Sequence, residues 1–590
     1  MAARHASPAE REHYQALIDA GLRWIFERQN PDGGWGDTDL SLSNISTTML
    51  VRAATHLASR ERERPEALQR AEAYIEAQGG IAGLRRRYGK DKTFAVPILT
   101  NCALAGLVSW DEVSPLPFEL ACLPQSWYRF ARLPVVSYAI PALVAIGQAR
   151  YFHKKPWFLP WRLVRAAAVE RSLNVLQKMQ PASGGYLEAT PLTSFVVMSL
   201  ASIGRHDHPV TQLGLKFILD SARPDGSWPI DTNLATWVTT LSINALGQER
   251  ESEKYLTDEL LEWLLKCQHT ERHPFTGAEP GGWGWSDLSG AVPDADDTPG
   301  ALLALAKEEP QIDALGENHP FFRSATAMLW LVSLQNSDGG WPTFCRGWGK
   351  LPFDRSGTDL TAHAIRALHA YSANENPKVG GRAVAFGWRY LAKSQRPDGS
   401  WLPLWFGNQH RPDDENPLYG TAKVLLAYRD LGRMRDDPAR RGVDYLLTQQ
   451  NGDGGWGGSG MGRTQMGSGE WGMGNDGRRK TSATASASEL PTPPSPFPIS
   501  DVPIVSSVEE TAVVVEALAA AAERPDVATA VERGALWLIE AVESGRFRQP
   551  SPIGFYFAKL WYYEKLYPLI FTVGALRSVV ENESGGKPGG

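Results

Sequence analysis

The 590-residue chain has only four cysteines, Cys102, Cys122, Cys267 and Cys345, and no C-x-x-C pair. That scarcity argues against a disulfide framework or a thiolate zinc site and fits a reducing compartment. No run reaches the ~18–20 apolar residues that a membrane-crossing helix needs. Charge of one sign is also lacking. Sixty basic residues against 66 acidic ones leave a net charge of −6, with no basic tract to suggest nucleic-acid binding. The opening "MAARHASPAEREHYQALIDAG" has no apolar signal-peptide core, so a cytosolic protein is expected. Strand-like alternation is scarce as well, which points to an all-α fold.

Tryptophan, by contrast, is abundant, with 21 residues, and it is organised. "RQNPDGGWG" ends at Gly36, "ARPDGSW" at Trp228, "QNSDGGW" at Trp341, "QRPDGSW" at Trp401 and "QQNGDGGWG" at Gly457. "EPGGWGW" (279–285) and the degenerate "QPASGGYLEAT" (180–190) belong to the same series. In the second half the units recur every roughly 55–60 residues, as in a repeat array. Each has an apolar helix such as "VDYLLTQQ" (443–450), a D-G-x-W turn, and a second apolar helix such as "YGTAKVLLAYRDL" (419–431). Units of this length, too few for a long solenoid, predict closed α/α barrels. A Gln before each turn and a Trp after it are placed to tie neighbouring helix ends together.

Two segments break the pattern. Residues 457–505 are rich in Gly, Ser and Pro and are expected to form a disordered insertion. The apolar "LPVVSYAIPALVAIG" (133–147) precedes "QARYFHKKPWFLPWRLVR" (148–165), which mixes Trp157 and Trp161 with basic residues. That pairing suits either a helix dipping into one membrane leaflet or an ordinary buried helix.

The stretch "AVPDADDTPGALLALA" (291–306) crowds Asp294, Asp296 and Asp297 at the mouth of an apolar helix. Repulsion among them should raise at least one pKa. The result is either a carboxylic acid kept protonated near neutral pH, hence a proton donor, or simply an acidic helix start.

The repeats together with "DADDT" resemble the squalene–hopene cyclase family of class II terpene cyclases, of which the chain looks like a divergent member. Further similarity lies in residues 89–124, "DLTAH" (359–363), "DGSWLPLWFGN" with "LYGTA" (398–422), and "GFYFAKLWYYEKLYP" (554–568). The resemblance implies two α/α barrels enclosing a large apolar cavity. Residues 1–36 plus 233–590 would form the catalytic barrel, and 37–232 a second barrel with membrane contact near 133–165. It also implies a monotopic protein on the cytoplasmic side of the cell membrane, acting on squalene or a similar linear polyprene without metal or cofactor. A homodimer is allowed for.

By that resemblance Asp296 is the proton donor, and the negative charge and hydrogen bonds of Asp294 and Asp297 keep it protonated. His363 hydrogen-bonds the acid, and Tyr419 belongs to the water chain that re-protonates it. Positive charge then migrates along the folded polyene, where aromatic faces stabilise it by ~1–2 kcal/mol or more each when desolvated. The positions implied for that role are Trp285, Trp237, Trp405, Phe344, Phe130, Phe555 and Tyr562. Phe130 stands where the family usually has Trp.

Three departures leave product and substrate open. Ser551 replaces an expected phenylalanine, the segment "FYFAKLWYYEKLYP" carries one extra residue, and "WLPLWFGNQHRPDDENPLYGT" is several residues long for the family. A hopanoid-like product with some water-quenched alcohol is the first expectation. A diterpenyl diphosphate or C35 substrate is the runner-up, with "GLRRRYGKDK" (83–92) its one basic candidate. "RPDDENP" lacks the final acid of a class I metal site, no D-x-C zinc motif is present, and three Asp within one turn do not make a glycosidase pair. An inactive repeat scaffold is the weakest alternative.

Overall fold

The computed structural model describes residues 8–89, 94–124, 127, 139–247, 256–306, 320–344, 353–372, 380–458, 506–555 and 559–583. Phe130, Cys345 and residues 459–505 of the Gly/Ser/Pro-rich insertion lie outside these. The described chain is overwhelmingly helical. Its first half holds α1 (Pro8–Phe26), α2 (Ile45–Leu57), α3 (Pro65–Ala77), α4 (Gly80–Tyr88), α5 (Ala95–Leu104), α6 (Ile140–His153), α7 (Leu159–Met179), α8 (Thr190–Ala201) and α9 (Pro209–Asp220). The second half holds α10 (Ala235–Leu246), α11 (Asp258–Lys266), α12 (Asp297–Leu305), α13 (Pro320–Leu334), α14 (Thr358–Ser372) and α15 (Gly381–Ser394). It continues with α16 (Pro417–Asp430), α17 (Asp437–Thr448), α18 (Val508–Ala519), α19 (Pro525–Glu543) and α20 (Tyr567–Glu583).

The repeats determine how these helices join. At each D-G-x-W turn the indole N–H donates to a backbone carbonyl of the preceding helix. The pairs are Trp35 to Ile25 at 2.7 Å, and Trp228 to Ile218, Trp341 to Leu331, Trp401 to Leu391 and Trp456 to Leu446 at 2.8 Å. Tyr186 does the same to Leu176 in the degenerate unit. Each Gln spans its own turn and the next outer helix: Gln395 Nε2 donates to the Gly399 and Pro438 carbonyls, and Gln450 Nε2 to those of Gly454 and Ala530. A threonine in the first turn of the following helix completes the joint. Thr48, Thr298, Thr361, Thr421 and Thr511 accept the backbone N–H of Trp35, Trp283, Trp341, Trp401 and Trp456. Buried backbone groups at the helix ends thereby find partners.

In the second half, α10, α12, α14, α16, α18 and α20 each pack on the next, and α20 packs back on α10, closing an inner ring. Helices α13, α15, α17 and α19 pack outside α12, α14, α16 and α18. This is an α/α barrel, with one continuous apolar core running from Trp237 to Ala575. In the first half, α2, α5, α6 and α8 form a succession of inner helices, with α3, α7 and α9 packed outside α2, α6 and α8. Its core takes in Phe275, Val292 and Phe344 from the second half.

One feature is new to the sequence-based picture, and one chooses between its two alternatives. A small sheet links the 401–407 and 551–562 segments: β1 (Phe406–Gly407) pairs antiparallel with β2 (Ile553–Phe555), and β2 with β3 (Leu560–Tyr562). Strands of two or three residues leave no alternation to read. The apolar plateau near 140–147 is ordinary core, since Ile140, Val144 and Ile146 have no exposure. The exposed apolar surface comes later, at Trp157 (94%), Phe158, Leu159, Trp161, Leu163 and Val164. No helix among the described residues is long and apolar enough to cross a membrane.

Candidate active site

The "DADDT" turn opens helix α12, and Asp294 organises it. Asp294 Oδ1 accepts the backbone N–H groups of both Asp296 and Asp297 at 2.8 Å. This satisfies the orphan donors of the helix start, so the Asp296 side chain makes no capping bond and is free to turn inward. Asp296 Oδ1 lies 2.8 Å from His363 Nδ1 on the neighbouring helix α14. The Asp296 side chain keeps 24% of its surface and His363 keeps 12%, although both sit inside the closed ring. Residual surface at such depth means that the pair borders an interior space. Gly300 gives room chiefly to Thr240: a Cβ there would stand 3.0 Å from Thr240 Oγ1, and at ordinary contact, 3.7 Å, from His363 Cε1.

The three carboxyls are not equivalent. Burial pushes Asp294 up to about 7, against the pull of its hydrogen bonds to Asp297 and to the backbone. Burial, reinforced by the adjacent Asp294 charge, holds the Asp297 carboxyl far above the usual range and so protonated. Its Oδ1 is sealed without a partner. The sequence assigned a negative charge to both neighbours of Asp296. Burial holds both toward the protonated form, which weakens the negative field they place on Asp296. Burial also depresses the basicity of His363, while contact with Asp296 raises it.

Tyr419, in the first turn of α16, is buried, and its hydroxyl is pushed far up by burial and by the nearby Asp296 and Asp359 charges. No hydrogen bond among the described residues joins it to Asp296 or His363. One turn further on, Lys423 Nζ stands 5.4 Å over the Tyr419 ring and 5.6 Å over Phe571. Burial lowers its basicity, and Glu516 and Asp296 restore part of it. Nothing in the sequence patterns singled out this interior cation.

The aromatic candidates gather in two groups. Trp285 lies 5.8 Å from Phe344, and Phe344 lies 5.9 Å edge-on from Trp405. Phe353, which sequence reasoning missed, fits between them at 5.0 Å from Phe344 and 5.4 Å from Trp405. Trp237 meets His363 edge-on at 6.5 Å, and its indole donates to the Tyr567 hydroxyl at 2.7 Å. Tyr562 approaches Tyr567 oxygen to oxygen at 3.4 Å, and Phe406 lies 4.2 Å from Tyr419. Phe406 and Tyr567 were also missed, because neither stands in a repeat motif. Phe555 contributes backbone pairing with Phe406 and Leu560, its side chain lying outside the described residues.

The arrangement is an acid facing an aromatic-lined interior. Among the described residues no group of three or more His, Cys, Asp or Glu side chains is placed to hold a metal ion. The basic run at 83–92 is partly engaged: Arg85 pairs with Glu112 at 2.7 Å, and Arg87 donates to the Lys559 carbonyl at 3.3 Å.

Residues 234–487 match the family described as the squalene-hopene cyclase C-terminal domain, and residues 9–156 match the squalene-hopene cyclase N-terminal domain. Squalene–hopene cyclase of Bradyrhizobium diazoefficiens is 25% identical over 520 residues, covering 76% of this chain and 74% of that one. Drimenyl diphosphate synthase of Streptomyces showdoensis is 31% identical over 249 residues, or 41% of this chain and 40% of that one. Among solved structures, ent-copalyl diphosphate synthase from Streptomyces platensis shares the fold. Its TM-score is 0.54 at 17% identity, and the match covers 95% of this chain and 91% of that one.

Proposed function

Because the chain belongs to the squalene–hopene cyclase family of class II terpene cyclases, we propose that Asp296 protonates a terminal alkene of squalene or a related linear polyprene. The observation that carries this reading is the 2.8 Å contact between Asp296 and His363 at the edge of an aromatic-lined interior. The imidazole fixes the carboxyl and stabilises the carboxylate left behind when the proton goes. Asp294 and Asp297 stand beside it, and any negative charge they carry opposes the charge of that carboxylate. Tyr419, within electrostatic reach of Asp296 but not bonded to it, acts through water. Released charge then meets the faces of Trp285, Phe344, Phe353 and Trp405 on one side and of Trp237 and Tyr562 on the other.

The product is a hopanoid-like polycycle, and some cations are quenched by water to give alcohols. Substrate arrives from a membrane: the exposed run from Trp157 to Val164, flanked by Lys154, Lys155 and Arg162, suits monotopic contact with one leaflet on the cytoplasmic side. A second reading, cyclisation of a prenyl diphosphate, is favoured by the drimenyl diphosphate synthase match.

Detergent-solubilised protein given squalene, a C35 polyprene or a prenyl diphosphate decides between these readings, with products identified by gas chromatography–mass spectrometry. Squalene cyclisation without metal or nucleotide is expected. Turnover of the diphosphate alone would shift the assignment. Asp296→Asn should abolish turnover, by at least about 100-fold, with an unchanged melting temperature; retained activity would sink the acid assignment.

A further inference from the structure

A second interior acid stands apart from the "DADDT" turn. Asp231 ends the segment that leads into α10, and two strands of contact fix its backbone. It bridges antiparallel to Ala189, the Thr190 N–H donates to the Ile230 carbonyl at 2.9 Å, and the Thr232 N–H donates to the Glu188 carbonyl at 3.1 Å. The opposing chain is itself held in an unusual shape, with Leu187 and Glu188 both left-handed at φ 57° and 51°. Strain of this kind persists only where the surroundings impose it.

Asp231 Oδ1 is sealed from solvent without a closed hydrogen bond. Facing it is the indole N–H of Trp285, also buried and also without a closed hydrogen bond, although near enough to favour the carboxylate. A carboxyl and an indole N–H left side by side in an apolar interior without a closed hydrogen bond are costly to keep, so their retention calls for a reason. Tyr562 lies within electrostatic reach of both Asp296 and Asp231. The two acids therefore flank the same tyrosine.

The neighbouring acids do not compete for this position. Glu188 is fully buried, and its Oε1 accepts the Ser183 hydroxyl at 2.6 Å and the Gly290 N–H at 2.7 Å. Glu509 is equally enclosed, and its Oε1 is taken by the Ser551 N–H at 2.7 Å. Asp359 accepts the Leu404 N–H at 2.9 Å. Asp231 alone of these keeps part of its surface, and it stands beside a candidate cation-stabilising ring.

We propose that Asp231 is the base that ends the cyclisation, its carboxylate removing a proton from the carbon next to the final carbocation so that product leaves as an alkene. The assignment rests on the cyclase reading above. The C–H electron pair becomes the new C=C bond, and Asp231 takes the proton, becoming a carboxylic acid. It returns that proton to water when product departs. One proton enters through Asp296 and one leaves through Asp231, so the reaction is a net isomerisation. Burial and the Glu188 charge push Asp231 up to about 7, which leaves it able to accept a proton near neutral pH. The Trp285 face holds the cation where the carboxylate waits.

The test is the product partition of the full chain in detergent, with whichever linear polyprene the wild-type protein cyclises. Asp231→Asn should cut the alkene share at least about tenfold, with water-quenched alcohols replacing it, and Asp231→Glu should restore part of the alkene. An unchanged alkene share in the folded D231N protein, a folded D231N that makes no cyclic product, or a wild-type product that is entirely alcohol would each overturn the proposal. Should D231N fail to fold by circular dichroism, the wild-type partition against pH reads the same carboxylate. Glu188 and Tyr562 are the titratable groups around Asp231, with Asp287 behind Glu188. The alkene share should fall as pH drops through about 7, and a flat partition overturns the proposal. Wild-type protein that cyclises no polyprene would instead defeat the cyclase reading itself.

Discussion

Trp401 and Trp405 stand four residues apart and do opposite work. Trp401 has no exposed surface, donates its indole N–H to Leu391 at 2.8 Å and anchors its backbone N–H on Thr421. Gly442 and Gly420 leave room for it, since a Cβ at either would stand 2.8 Å and 2.4 Å from Trp401 atoms. Trp405 keeps accessible surface, donates to the Thr343 hydroxyl at 3.0 Å and stands against Phe344 and Phe353. The first closes a joint between helices; the second leaves part of its surface to the interior. Trp283 and Trp285 repeat the division two residues apart: Trp283 is sealed and donates to Leu264, while Trp285 borders the interior. Spacing from the turn glycine, rather than residue type, separates structural tryptophans from functional ones.

Substitution should expose that division. Trp401→Ala removes a fully packed indole and a buried hydrogen bond together, so a loss of about 3–5 kcal/mol is expected in denaturant unfolding. Trp405→Ala should lose about half of that or less, while altering the product spectrum measured by mass spectrometry. Equal stability losses with unchanged products would erase the distinction. Gln395→Ala is the next step down. It strips one donor from two partly buried carbonyls, those of Gly399 and Pro438, and should cost about 1–2 kcal/mol with products unaffected. Gln450→Ala, in the same geometry, should match it; a large difference between the two would show that the joints are not equivalent.

The joints were legible in the sequence because their grammar is local. Gln, Asp, Gly and Trp fall within seven residues, and a turn of that chemistry allows few conformations. The threonine partners escaped notice because their spacing from the turn varies, from 13 residues between Trp35 and Thr48 to 55 between Trp456 and Thr511. The Asp296–His363 contact spans 67 residues, so only the family resemblance could suggest it. Asp231 belongs to no motif at all. Its environment comes from a backbone bridge to Ala189 and from Trp285, both remote in sequence, and no periodicity encodes such an encounter. The short sheet at 406–407, 553–555 and 560–562 was missed for the same reason.

The acids divide as the tryptophans do, and the smallest expected effect follows from that. Turn aspartates such as Asp225 sit at the surface, where the Ser227 hydroxyl and N–H hold the carboxyl below its usual range. Interior acids without a cationic partner move the other way: Asp294, Asp231 and Glu509 each rise to about 7 and Asp359 to about 6, mainly through burial, whereas Asp430 and Glu516 are held down by Arg429 and Arg366. An unfolded chain releases these protons near about pH 4, whereas the folded one keeps them. Their contribution to stability is therefore complete below about pH 4 and is lost as pH rises through about 7. Asp294→Asn deletes one such proton while keeping an oxygen for the Asp296 and Asp297 N–H groups. Its stability should fall less steeply than wild type between about pH 5 and 6, by about 1 kcal/mol or less over that interval. Replacing a surface acid in the same way, as in Asp225→Asn, should not flatten that slope. Parallel slopes for D294N and wild type in calorimetric melts would mean that the "DADDT" turn holds no extra proton, and the division between surface and interior acids would fail where it matters most.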